Sequence, residues 1–224
     1  MATSGTKTFQ LTIADTIEEA YELAGLELRT GYDAETARRS LNIMFADWSN
    51  RGVNLWTIDQ ITTSLTSGTN SYTLNAYDID IVSAIIRQVD NSTTTDLQIT
   101  RIGRTEYLNI PDKDSTGRPT QYFLDRQTTP VVKLYPTPDS VATYSFVANT
   151  IQRIDDVSAS AQDPEVPSRF MPCMASGLAY YIAMKRNPER VPLLKQQYEQ
   201  DFKLAADEDR SRVSLHLVPR RSYL

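Results

Sequence analysis

Few residues of this chain have the types and spacing that chemistry requires. The 224 residues include one histidine, His216, and one cysteine, Cys173. Nucleophilic catalysis needs a base beside the nucleophile, and no second histidine is present in the sequence to serve either residue. We therefore predict that Cys173 is a small buried hydrophobe in a reducing compartment, and that His216 is a surface or interface residue.

Two pairs of acidic residues could act as acid and base in glycoside hydrolysis or hold a cation: Asp78 with Asp80, and Asp155 with Asp156. Alternation along a strand puts Asp78 and Asp80 on one face, beside a turn, where solvated acids are the more common outcome. Phosphate-binding loops, dinucleotide fingerprints and paired-cysteine motifs are absent from the sequence. We therefore expect no enzyme, no cofactor and no metal site.

The charge balance is acidic, with 28 acidic against 23 basic side chains and a net charge of −5. Proteins that grip nucleic acid through many phosphate contacts are usually basic, so this class is disfavoured. The most apolar stretch, residues 170–184, is too short to span a bilayer, and the first residues lack the order of a secretion signal. The sequence thus predicts action outside any membrane.

Helical periodicity is confined to the two ends of the chain. One helix is predicted after Thr12, where Asp15 has a capping position, and a stronger one from Asp33 to a left-handed cap at Gly52. Two more helices are expected beyond the linker, with a break before Pro188. Each helix has one apolar stripe, so the helices need one another as partners.

The third of these helices carries small residues that would permit close approach of another helix: Ala175, Ser176, Gly177 and Ala179. The fourth helix has a narrow apolar face, and its other sides are interpreted as charged. The apolar stripes predicted to meet belong to the second and third helices: Leu41, Phe45 and Trp48 with Phe170, Leu178 and Ile182.

Between the helices the pattern changes from period 3.6 to period 2, which is typical of a sheet. Residues 56–65 and 70–74 predict one hairpin, and residues 80–89 and 95–102 predict a second pair. A short helix and three more strands complete this region: 104–110, 120–126, 130–136 and 142–151.

The sequence therefore predicts an α+β fold, in which a discontinuous helical bundle from the N- and C-terminal helices carries a central antiparallel β-sandwich or barrel insertion and ends in an extended C-terminal tail. The predicted boundaries are these: helical domain 1–52 and 163–212, β domain 53–154, linker 155–162 and tail 213–224.

The tail combines alternating apolar side chains with arginines. As an extended strand, the tail could add to the edge of a neighbour's sheet. Its arginine guanidinium groups could form paired hydrogen bonds with carboxylates there. The alternatives are a disordered end or a strand packed on its own sandwich. We predict docking on a partner protein through these residues: Arg212, Val213, Leu215, Leu217, Arg220, Arg221, Tyr223 and Leu224.

Two longer stretches carry the most specific pattern. Residues 37–74 read "ARRSLNIMFADWSNRGVNLWTIDQITTSLTSGTNSYTL", and residues 117–139 read "GRPTQYFLDRQTTPVVKLYPTPD". The first resembles a helix exit, and the second a hairpin, of the head-to-tail adaptor proteins of short-tailed bacteriophages, also called head-completion or tail accessory factors. With the terminal helix pair, the resemblance covers most of residues 12–210.

This resemblance implies a structural virion protein. Such adaptors form a homo-oligomeric ring, typically of twelve copies, between the portal protein and the tail nozzle or hub. The ring extends the DNA channel without specific DNA binding and helps to retain the packaged genome. The expected location is the head–tail junction of a virion assembled in the host cytoplasm. Attachment of tail fibres or spikes is left open.

Two other function classes remain as alternatives. One is a virion-associated hydrolase that degrades the cell wall with Asp163 and Glu165, or with Asp78 and Asp80. The other is a sandwich that binds sugar or nucleic acid and is inserted in a helical frame.

Overall fold

The computed structural model describes residues 11–29, 31–52, 55–90, 93–159 and 161–209. Within these ranges the chain is α+β, with helices at both ends and antiparallel sheets between them, as predicted. The described residues form two compact units: those up to Phe45 with those from Asp156 onward, and Ala46–Asp155. The predicted tail lies outside the described residues, and the predicted domain boundaries stay a prediction.

The described part of the chain contains five α-helices: α1 (Ile13–Leu23), α2 (Gly31–Asn50), α3 (Arg104–Leu108), α4 (Met171–Arg186) and α5 (Val191–Glu208). Single 3-10 turns span Leu55–Thr57, Ser168–Phe170 and Pro188–Arg190. Helix α2 begins two residues before the predicted start at Asp33, which lies in its first turn. No described helix has both the length and the apolar content of a membrane span.

Local signals at the helix ends have the predicted roles. The Asp15 amide donates to Thr12 Oγ1 at 3.2 Å, and the Thr12 amide donates to Asp15 Oδ2 at 3.1 Å, which completes a capping box at the start of α1. Gly52, two residues beyond α2, has φ of 80°, the left-handed conformation that favours glycine. Both predictions are confirmed.

Helix α4 is the central helix of the first unit. Helix α1 runs parallel to α4, because both of its ends are hydrogen-bonded to the matching ends of α4. The Ile13 amide donates to the Gln162 carbonyl before α4 begins, and the Asn187 side-chain amide donates to the Ala24 carbonyl where α4 ends. Helix α5 returns antiparallel to α4, and its last turn reaches the start of α4.

The small residues of α4 do permit close packing. A Cβ built on Gly177 would lie 2.5 Å from Met44 Sδ on α2 and 2.7 Å from Tyr198 Cε2 on α5. The apolar residues predicted to meet are all buried: Leu41, Phe45, Trp48, Phe170, Leu178 and Ile182. Cys173 is also fully buried, as predicted.

Between α2 and α4 the described residues form ten strands: β1 (Ile58–Ser64), β2 (Ser71–Thr73), β3 (Asp78–Asp90), β4 (Thr93–Gln98), β5 (Thr100–Arg101), β6 (Thr116–Gly117), β7 (Gln121–Asp125), β8 (Val131–Tyr135), β9 (Thr137–Pro138) and β10 (Thr143–Gln152). One sheet has the order β1-β10-β3-β4, and a second has the order β2-β8-β7-β5. Strands β6 and β9 form a short parallel pair.

One apolar core joins the two larger sheets, which makes the second unit a β-sandwich. Its residues come from both sheets and the segments beside them: Leu74, Ile81, Ile86, Ile99, Tyr122, Leu124, Val132, Leu134, Tyr144, Phe146 and Ala148. Alternation along β8 and β10 puts every second side chain into this core. The sandwich prediction is confirmed.

The predicted hairpin of β1 with β2 is wrong. Strand β1 pairs with β10, where Ile58 faces Ile151, and β2 pairs with β8 in the other sheet. Hydrophobic alternation specifies which face of a strand is buried, but it does not specify which strand lies beside it. The prediction paired β1 with the next strand in sequence, and that assumption fails here. The predicted pairing of β3 with β4 is confirmed.

Candidate assembly surfaces

The carboxylates considered for catalysis form part of the sandwich's own framework. Asp78 is only 3% exposed. Its Oδ1 accepts from the Thr150 hydroxyl at 3.0 Å, and its Oδ2 accepts from the Asn75 amide at 3.0 Å. The interpretation of Asp78 as a solvated turn acid is therefore wrong, because the side chain closes a buried hydrogen-bond network.

Asp80 has different partners. Its Oδ1 lies 2.9 Å from Arg101 Nη1 and 2.8 Å from the Ile81 amide, and its Oδ2 lies 3.5 Å from Arg126 Nη1. Both carboxylates of this pair are thus engaged by donors of the sandwich. The other acids considered, which are exposed, are Asp155, Asp156, Asp163 and Glu165. Within the described ranges, His, Cys, Asp and Glu form no group of three or more that could hold a metal ion.

We expect Asp78→Ala to destabilise the protein by about 2 kcal/mol, because two buried donors would lose their acceptor. Asp78→Asn keeps one carbonyl oxygen and should lose less. Denaturant midpoints measured by tyrosine fluorescence would give both values. The matched control is Asp59→Ala at an exposed strand position, where the change should stay within about 0.5 kcal/mol. Equal effects at Asp59 and Asp78 would contradict this account.

Two helices of the first unit expose large apolar side chains. On α2, Tyr32 is 65% exposed and Ile43 is 58% exposed. On α5, Leu193 is 66% exposed and Leu204 is 71% exposed. Each pair is eleven residues apart, about three helical turns, so its members lie on one stripe of their helix. We call these surfaces the α2 stripe and the α5 stripe.

The stripes lie apart from the buried faces of the same helices. Helix α5 buries Leu194, Tyr198 and Ala205 towards its own unit. The interpretation of its remaining sides as charged is thus incomplete, because Leu193 and Leu204 are apolar there. Exposed apolar side chains that recur along a helix indicate a partner outside the subunit more strongly than scattered ones do.

Basic residues gather where α4 ends. Arg186 Nη2 lies 2.5 Å from Asp33 Oδ1, and Lys185 Nζ donates to Ser40 Oγ at 2.6 Å, so both residues tie α4 to α2. Burial, followed by the nearby charges of Arg39 and Arg186, lowers the pKa of the Lys185 amino group below its ordinary value. These two contacts hold the end of α4 against α2.

An acidic groove lies at the other end of the helical unit, between α1 and the start of α4. Its volume is about 640 Å³. Four acids of α1 line it, namely Asp15, Glu18, Glu19 and Glu22. Its apolar lining consists of Leu11, Met171, Pro172 and Ala175. We call this feature the acidic groove.

The described chain ends beside the acidic groove. Arg169, adjacent to the groove-lining Ser168, forms an ion pair with Asp209, whose side chain is almost fully buried. The last described residue, Asp209, is therefore held next to a neighbour of the groove lining. The residues predicted to dock on a partner lie outside the described residues: Arg212, Val213, Leu215, Leu217, Arg220, Arg221, Tyr223 and Leu224.

Sequence reasoning missed both the stripes and the groove. The α1 acids at spacings of three and four were a detectable signal, since such spacing gathers them on one side of the helix. Their apolar neighbours Met171 and Pro172 come from a segment about 150 residues away, and only the fold brings the two together.

Comparison with known proteins gives one family for this architecture. The comparison with curated proteins gave no match. The family model described as "SU10 adaptor protein" matches residues 12–221, nearly the whole chain. This match confirms the resemblance noted in the sequence. A structural role also agrees with the hydrogen bonds and ion pairs that Asp78 and Asp80 make within the β-sandwich. This chain belongs to the SU10 adaptor protein family of bacteriophage structural adaptors.

Proposed function

We propose that this protein is the head-to-tail adaptor of its virion: a ring, expected to contain twelve copies, between the portal protein and the tail nozzle. The family match over residues 12–221 supports the adaptor role. The main support for ring formation is that α2 and α5 each expose an apolar stripe to solvent in addition to the apolar residues that they bury. The proposal contains no catalytic step and requires no cofactor.

Ring closure requires two different surfaces on each copy, because one face of every subunit meets another face of the next. The α2 stripe and the α5 stripe meet this requirement, since they belong to different helices of one unit. In the proposed ring, the α5 stripe of one subunit packs on the α2 stripe of its neighbour. Burial of large apolar side chains supplies the main free energy of the contact.

The proposed contact with the portal is made by the C-terminal tail. Residues 210–224 contain four arginines and no acid, and Val213, Leu215 and Leu217 alternate with other residues. Such a segment could add a strand to a portal sheet while its arginines meet carboxylates. The β domain, proposed as residues 53–154, would then be available to the tail nozzle and to any fibres or spikes.

The acidic balance suits a ring that DNA must cross. A net charge of −5 disfavours tight phosphate contacts, so DNA can slide through such a ring. In the proposal the ring lies at the head–tail junction, extends the portal channel and helps to retain the genome after packaging.

Imaging of the purified chain mixed with a portal from the same virus tests this function. We expect a ring of the portal's rotational symmetry on one end of the portal. A chain that binds no portal at any concentration, and instead degrades cell-wall substrate, would overturn the proposal.

Deletion of residues 213–224 tests the role of the tail within that experiment. We expect the truncated chain to stay folded, as judged by far-ultraviolet circular dichroism, and to lose portal binding. The matched control replaces the same twelve positions by a glycine-serine segment, which keeps the length without the side chains. Full portal binding by either variant would refute tail docking.

A further inference from the structure

We propose that the acidic groove is a docking site for the C-terminal segment of the same chain, residues 210–224, in the subunit that has not yet met a portal. This inference goes beyond the proposed function, because it concerns the free subunit and would hold whichever partner the tail later meets. It rests on the position where the described chain ends, on the charge of the segment and on the lining of the groove.

Position is the first argument. The ion pair of Arg169 with Asp209 holds the end of α5 beside Ser168, which lines the groove. An extended chain advances about 3.3 Å per residue, so Val213 can lie about 13 Å beyond Asp209. The acids from Asp15 to Glu22 span about 10 Å of helix α1. The first residues of the segment are therefore long enough to follow the groove.

Charge is the second argument. The groove has four acids along α1, and the segment has four arginines and no acid: Arg210, Arg212, Arg220 and Arg221. The guanidinium group pairs well with carboxylates, and several pairs at one surface reinforce one another. The other segment that begins near the groove, residues 1–10, has one lysine as its only charged side chain. Complementarity favours the C-terminal segment as the occupant.

The apolar lining is the third argument. Met171 and Ala175 lie largely buried in the groove, with Leu11 and Pro172 beside them. In an extended segment Val213, Leu215 and Leu217 would lie on one edge and could pack on this lining. Docking would keep these apolar side chains from water until another partner competes for the segment.

Disulfide formation in the full chain tests the inference. The variant carries Glu18→Cys with Val213→Cys, and the native Cys173 stays because it is fully buried. Under mild oxidation we expect an intrachain disulfide, identified by mass spectrometry. The control variant adds Arg210→Glu and Arg212→Glu, the two arginines close enough to Val213 to face the groove acids, so the tether is unchanged but the charge attraction is removed. Disulfide formation should then be at least tenfold slower.

A second pair of variants locates the site on the groove. Glu22→Lys in the cysteine-pair background should slow the disulfide to a similar degree, whereas Glu35→Lys, an equal charge change on exposed α2, should leave the rate unchanged. If the rate of disulfide formation did not respond to these charge reversals, the two cysteines would be meeting by random collision of a tethered segment, and the proposal would be overturned. Disulfides found only between chains would also overturn it, because the groove would then bind a neighbour's tail. Neither result would bear on portal binding, which is measured separately.

Discussion

Replacing Gly177 with valine should unfold the helical unit or leave it barely stable. A Cβ at this position would lie 2.5 Å from Met44 Sδ and 2.7 Å from Tyr198 Cε2, and both neighbours are fully buried. Contacts this short are not tolerated, so these two side chains, or the helices that carry them, must move away from α4. Overpacking a core usually costs about 1–3 kcal/mol, and valine adds two methyl groups beyond the Cβ that already clashes. We expect a loss of about 3 kcal/mol or more.

Alanine at the same position separates the steric effect from helix propensity. Alanine favours a helix over glycine by about 1 kcal/mol, so Gly177→Ala should lose less than Gly177→Val but remain destabilising. Far-ultraviolet circular dichroism during thermal and denaturant unfolding would follow the helical content of each variant.

The matched control is Gly31→Ala in the first turn of α2, where a Cβ would meet nothing within 4 Å. This change should be neutral or slightly stabilising. If Gly177→Ala proved as stable as Gly31→Ala, the close approach of α2 and α5 to α4 would not be required for stability.

The helices could be predicted because their signals are local. The capping box of Thr12 with Asp15 and the left-handed Gly52 depend on residues within four positions of one another. Burial of Leu41 follows from the apolar stripe of α2, whereas α4 is buried on most sides and not along one stripe. The early start of α2 at Gly31 is a minor difference, because the first turn of a helix needs no apolar residue.

The sheet order could not be predicted because strand pairing is non-local. Ile58 faces Ile151 across 93 positions of sequence, and no residue near β1 identifies β10 as its partner. Hydrophobic alternation is equally compatible with a local hairpin and with the observed sandwich. The buried Asp78 shows the same limit, since its acceptor role depends on Thr150 from β10.

The assembly surfaces were only partly accessible to sequence reasoning. Leu193 and Leu204 belong to a helix whose buried face was correctly predicted, but one sequence gives no measure of which remaining apolar residues stay exposed. In the sequence, the four acids of α1 cannot be distinguished from an ordinary solvent-exposed helix face. The apolar residues that make this face one side of a groove belong to α4, which is distant in sequence.

Replacing Leu193 and Leu204 together with aspartate should abolish ring formation without unfolding the subunit. Both side chains are mostly exposed, so the free monomer loses little by the change. In the proposed ring, each leucine buried at an interface contributes about 1.5–3 kcal/mol. Loss of two such side chains, with charges buried in their place, should weaken each subunit contact at least 100-fold. Analytical ultracentrifugation at several concentrations, and imaging with the portal, would measure the loss.

Leu108→Asp is the matched control for this double variant. Leu108 is 70% exposed on α3 of the other unit, so the change has the same chemistry at a similar exposure. We expect this variant to assemble like the unmodified chain, because Leu108 belongs to neither stripe. If Leu108→Asp blocked the ring while the Leu193 and Leu204 variant assembled normally, subunit contacts would have to be made by the β unit, and the proposed contact between the α5 stripe and the α2 stripe would be wrong.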